Sequence, residues 1–113
     1  MNATENKLPD LRKLNQRLAF NSVRVQAFLE GLSPRIDSLV EAVSAGNMSE
    51  VGRLSHFIYR CCDVYGYEDL AAIAADVCEA AAGCESHGVV GSKVIRLVGA
   101  FARTSNQATM AAN

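Results

Sequence analysis

The strongest constraint in this sequence is a stripe of apolar residues spaced by three and four. Val25, Phe28, Leu29, Leu32, Ile36, Leu39, Val40 and Val43 fall on one side of a helix drawn through them. The same 3.6-residue period recurs along almost the whole chain, and the two-residue alternation of a half-buried strand is nearly absent. Pro34 interrupts the stripe. Proline inside a helix costs about 3 kcal/mol and bends the chain. The stripe keeps its phase across Pro34, so the segment is expected to be one kinked helix.

Punctuation divides the rest. A short first helix is expected over 9–20, with Pro9 in its first turn and Leu11, Leu14 and Leu18 on one side. Asn21 is a suitable N-cap for the second helix, which Ala45-Gly46 ends with Gly46 in a left-handed cap. Asn47-Met48-Ser49-Glu50 has the form of a capping box and opens a third helix that Gly66 stops. The fourth is expected over 68–82, closed by Gly83, with Leu70, Ile73, Ala74, Val77, Cys78 and Ala81 inward. The last starts at Ser86 or His87 and carries Val90, Val94, Leu97, Val98 and Phe101. Short links force antiparallel neighbours. The expected fold is therefore all-α: an up-down-up-down four-helix bundle with an additional N-terminal helix. It is one domain over 1–113, with an ordered core at about 9–103 and a frayed tail at 104–113.

Composition narrows the function. The chain has 113 residues, half of them apolar and none of them Trp, so Ala, Val and Leu must fill the core. A formal net charge of −1 argues against a nucleic-acid partner. No run is long and apolar enough to span a membrane, and the polar start lacks a secretory signal, so the expected location is the cytoplasm. Of Cys61, Cys62, Cys78 and Cys84, at least three are expected to be buried as small apolar residues. Cys84 and His87 have a possible metal-ligand spacing but no second pair, and are read as a helix-entry loop. No cofactor and no metal are expected. Glu68, Asp69, Asp76 and Glu79 are read as a solvated face.

The third helix carries the candidate chemistry. Val51, Leu54, Ile58, Cys61 and Tyr65 are expected to form its buried face. At 100° per residue His56 falls on nearly the opposite side, among Ser49, Gly52, Arg53, Tyr59, Arg60 and Asp63. An imidazole projecting there can act as a nucleophile. The arginines three residues before and four after it would stabilise an attached phosphoryl group. Gly52 removes a side chain beside the ring. On helix geometry alone, this is also an ordinary surface histidine between arginines.

The run around His56 resembles the signature of the histidine-containing phosphotransfer (HPt) family. In that family the phosphoacceptor His is followed by Lys and Gly at the third and fourth positions, small residues, and an aromatic-Gly pair nine and ten positions on. Here His56 is followed by Cys61-Cys62 and then Tyr65-Gly66. The segment from Tyr67 to Glu79 resembles the family's next helix, and Ala27 to Ile36, with its mid-helix proline, resembles the preceding one. The resemblance covers 25–82. It implies a phosphorelay protein rather than an independent enzyme, with His56 as phosphoacceptor supported by Arg60, Arg53, Tyr59 and Gly52. The implied partner is a response-regulator receiver domain, a hybrid histidine kinase, or both, with the chain as a monomer. Tyr59 and Arg60 stand where the family has Lys and Gly. A degenerate module that binds such a partner without phosphotransfer is the alternative.

Overall fold

A computed structural model describes the backbone of residues 11–112 and the side chains of 23–108. Among the described residues the fold is all-helical, with four helices: α1 (Leu11–Ser44), α2 (Met48–Val64), α3 (Glu68–Ala82) and α4 (His87–Ala112). Each packs against its two neighbours in the cyclic order α1, α2, α3, α4 and back to α1.

Helix α1 corrects the expected division at Asn21. Helical backbone runs from Leu11 to Ser44 without a break, so the expected separate N-terminal helix is the first part of α1; Pro9 lies outside the described residues. Asn in a helix interior gives up only a few tenths of a kcal/mol relative to average residues. That is too little to break a helix where nothing turns the chain. Pro34 is also inside α1, on its exposed side, and Arg35 Nη1 donates to the Gly31 carbonyl beside the interruption at 3.4 Å. Helix α4 continues past Thr104 to Ala112, where a frayed tail was expected.

The turns follow the local punctuation. Gly46 and Gly66 take φ of +70° and +81°, the left-handed conformation that costs glycine least. At the third turn Gly83 keeps a negative φ, and Cys84 takes the left-handed position at φ +56°. Asn47 caps α2: its Oδ1 accepts from the Glu50 backbone N–H at 3.2 Å. The Glu50 carboxylate pairs with Arg53 instead of returning to the cap.

The core is Leu32, Ile36, Leu39 and Val43 from α1; Val51, Leu54, Ile58 and Cys62 from α2; Leu70, Ala74 and Val77 from α3; and Val90, Val94 and Leu97 from α4. The buried arc of α2 is rotated from the expected one. Ser55 and Cys62 are buried, Cys61 is half-buried, and Tyr65 is exposed. On α3 the buried set includes Ala71 and Ala80, while Ile73 and Cys78 are half-buried. Both changes turn the α2 and α3 faces toward each other, where Ala side chains allow close approach. Ser55 is accommodated because its hydroxyl donates to the Val51 carbonyl at 2.7 Å. On α1, Val40 is exposed, outside the core that its neighbours Leu39 and Val43 enter.

Candidate functional site

His56 lies in the middle of α2 and is exposed, as the sequence reading required. Its position follows from period alone. With Val51, Leu54, Ile58 and Cys62 inward, a residue two after Leu54 and two before Ile58 is carried to the outer side. About two helical turns fix the backbone on each side of it, so the ring is presented from a rigid element.

The surroundings divide into three sides. Directly outward are Arg53, Arg60 and Asp63, all exposed. Toward α3 are Gly52 and Tyr59, both half-buried. The Tyr59 and His56 ring centroids are 6.1 Å apart at 42°. Toward α1 are Phe57 and the half-buried Cys61.

The two arginines differ in commitment. Arg53 donates from Nε and Nη2 to the Glu50 carboxylate one turn back, a charge-assisted fork. The fork and the opposite charge hold the Glu50 carboxyl below its ordinary range and raise the Arg53 guanidinium. Arg60 makes no ion pair among the described residues. It is the cation one turn from His56 whose donors are uncommitted.

Gly52 has a different place from the one expected. A Cβ there would meet the Ala81 side chain at 3.9 Å, and the Gly52 carbonyl accepts from Ser55 Oγ at 3.2 Å and Cys78 Sγ at 3.6 Å. Its bare backbone lines the α2–α3 seam as well as adjoining the histidine.

A shallow groove that the sequence reading missed runs between α1 and α2 beside His56. It has a volume of about 320 Å³ and is lined by Phe28, Gly31, Arg35, Phe57, Cys61 and Tyr65, among others. Phe57 is 40% exposed and lies under the Arg35 guanidinium, 4.4 Å from ring centroid to Cζ. Phe28 stacks on Tyr65 at 4.1 Å and Tyr67 at 5.8 Å, which closes one end. Gly31 leaves open space above the groove floor. The available signal was Phe57 itself, a large apolar residue out of phase with the buried stripe.

The cysteines are less uniform than expected. Only Cys62 is fully buried; Cys61 and Cys78 are half-buried, Cys84 is exposed, and all four are free thiols. Burial pushes the Cys62 thiol up to about 11, with a smaller contribution from Cys61, so it stays protonated near neutrality. Among the described residues no group of three His, Cys, Asp or Glu side chains is arranged to hold a metal ion. Asp76, expected on a solvated face, instead reaches across to α4 and accepts from Lys93 Nζ at 2.9 Å. No helix among the described residues is long and apolar enough to cross a membrane.

Comparison with family models, with curated proteins and with solved structures returns no match to this chain.

Proposed function

We propose that this chain is an HPt-like phosphorelay protein, a cytoplasmic up-down-up-down bundle that carries a phosphoryl group on His56 between receiver domains. The observation that carries this reading is the exposed imidazole at mid-α2, one turn from the uncommitted Arg60. The registered resemblance from Val25 to Ala82 adds to it, with Tyr65-Gly66 at the expected distance.

In the proposed transfer, a ring nitrogen of neutral His56 attacks the phosphorus of a receiver aspartyl phosphate. The N–P bond forms, the acyl-phosphate P–O bond breaks, the aspartate leaves as a carboxylate, and the ring proton goes to solvent. The receiver supplies the metal and the acid chemistry. This chain supplies a positioned nucleophile and positive charge. Arg60 is the primary phosphoryl partner, because Arg53 is tied to Glu50. Tyr59 donates a hydrogen bond, and Gly52 keeps the α3 side of the ring uncrowded. The groove between α1 and α2 receives an apolar element of the receiver or the kinase.

One observation favours a second reading. Arg60 occupies the outer face where the family keeps Gly, and an arginine there takes space one turn from His56. In that reading the same face binds a receiver or kinase domain without accepting phosphate. Incubation with a phosphorylated receiver separates the two. Acid-labile label on the chain, lost in His56→Gln, supports the relay. Binding without label for every receiver tested rejects it in favour of the module.

A further inference from the structure

We propose that two copies of this chain associate face to face through the α1–α4 side of the bundle, with α1 of each copy lying on α4 of the other. The proposal rests on the antiparallel helix order proposed above but not on the phosphotransfer chemistry, and it departs from the monomer expected from the sequence.

The face is apolar across two helices. A groove of about 330 Å³ between α1 and α4 is lined by Val40, Val43, Gly91, Val94, Ile95 and Val98, among others, and none of its lining residues is ionisable. Val43 and Val94 form its buried floor. Val40 and Ile95 stand on opposite sides of it, 40% and 74% exposed. A Cβ at Gly91 would meet Val43 Cγ1 at 3.9 Å, so the bare backbone there keeps the groove open. Single exposed apolar residues are ordinary, but a contiguous apolar face marks an interaction site. A protruding isoleucine beside an apolar hollow is also self-complementary: under a two-fold axis, each Ile95 enters the groove of the other copy.

The chain does not close this groove itself. About 43 Å of helix separates Leu11 from Val40 at 1.5 Å per residue. Residues 1–10 span at most about 36 Å even when fully extended. Helix α4 runs past Val98 to Ala112, away from the groove.

Charge selects a second copy and its orientation. Glu30, Asp37 and Glu41 form an exposed acidic edge on the outer side of α1. Arg96 and Arg103 form an exposed basic edge on the outer side of α4, and Arg103 Nη1 lies 3.4 Å from where a Cβ on Gly99 would stand, on the groove side of the helix. These five residues make no ion pair among the described residues. Gly91 lies at the level of Val43. Counting back along antiparallel helices puts Arg96 at a level between Asp37 and Glu41, and Arg103 between Glu30 and Asp37. A two-fold axis parallel to the helices keeps these levels and lays the acidic edge of each α1 along the basic edge of the partner's α4. The order Glu30, Arg103, Asp37, Arg96, Glu41 then alternates in sign. The other two-fold axis in this face sets acid against acid. Exposed pairs at such a rim contribute little affinity but fix orientation, and the apolar groove contributes the affinity. Among the described residues α2 does not pack against α4, so the face lies away from His56.

Sedimentation equilibrium on the full chain tests this. The mass is expected to rise with concentration from 12.1 kDa toward twice that value. Ile95→Lys is expected to raise the dimer Kd at least about a hundredfold, since one change removes an isoleucine from the contact in each copy. The thermal transition of the bundle, followed at monomeric dilution, should persist in this variant because Ile95 is exposed in the single chain. A charge exchange tests the orientation. Asp37→Lys with Glu41→Lys, and separately Arg96→Glu with Arg103→Glu, should each weaken self-association, while an equimolar mixture of the two variants should associate more tightly than either alone. A mass of 12.1 kDa at every concentration overturns the proposal, as does association unaffected by Ile95→Lys or a mixture no tighter than its components. A monomer whose binding to a receiver domain is abolished by Ile95→Lys assigns the face to that partner and overturns it as well.

Discussion

At the residue scale, the chemistry turns on which cation is available to a group on His56. Two arginines flank the ring in sequence, and counting charges makes them equivalent. The structure separates them: Arg53 is forked onto Glu50, and Arg60 is not paired among the described residues. Arg60→Gly restores the family's small residue and removes this cation. If Arg60 has taken over the role of the missing lysine, phosphotransfer to the chain should fall by roughly tenfold or more, as expected for loss of a charge-assisted contact. Transfer rates from a phosphorylated receiver measure it, and a faster rate in Arg60→Gly would show that the side chain only obstructs docking. Glu50→Gln releases Arg53, and should restore part of the loss in the Arg60→Gly background.

At the element scale, the sequence writes its helix ends more firmly than its helix faces. Glu68 and Ala82 bound α3 as expected; after it the left-handed position falls on Cys84 rather than Gly83, whereas before it Gly66 acts through the left-handed backbone that glycine adopts at least cost. Asn47 acts the same way, through one hydrogen bond to the Glu50 N–H. Asn47→Ala should cost about 1 kcal/mol, the usual value of an N-cap. In a domain of this size that is a fall in Tm of roughly 4 °C, read by thermal denaturation followed by circular dichroism. An unchanged Tm would mean that the first turn of α2 is held by packing alone. Asn21, chemically the same residue, ends nothing. A cap matters only where the chain changes direction, and α1 does not turn there.

At the scale of the whole molecule, stability rests on small side chains that let helices approach closely. Ala71, Ala74, Ala80 and Ala81 of α3 are buried, and a Cβ at Gly52 of α2 would already be in van der Waals contact with Ala81. Larger residues from the other helices fill the space between. Ile58 is fully buried at this centre. Ile58→Ala should destabilise the bundle by about 2–5 kcal/mol, from lost transfer energy and the cavity left behind. Urea denaturation measures it. A loss below about 1 kcal/mol would indicate that the core collapses around the gap or is loosely packed. His56 is on the same helix but outside this core, so His56→Gln should leave the urea midpoint nearly unchanged.

The sequence by itself determined the helical class, the three turns and the outward direction of His56. Those depend on period and on local backbone preference, which neighbours along the chain set. It did not determine the choice between Cys61 and Cys62, the exposure of Tyr65 or the place of Gly52. Each lies near the edge of a buried arc, where a 100° step leaves a residue on either side. Which edge is covered depends on the neighbouring helix, and α2 lies closer to the alanine face of α3. Likewise Asp76 reads as solvated until Lys93 of α4 is brought opposite it. The α1–α2 groove exists only once Arg35 and Phe57, from separate helices, are packed together. Contacts between residues distant in sequence carry no period, so only the tertiary structure decides them.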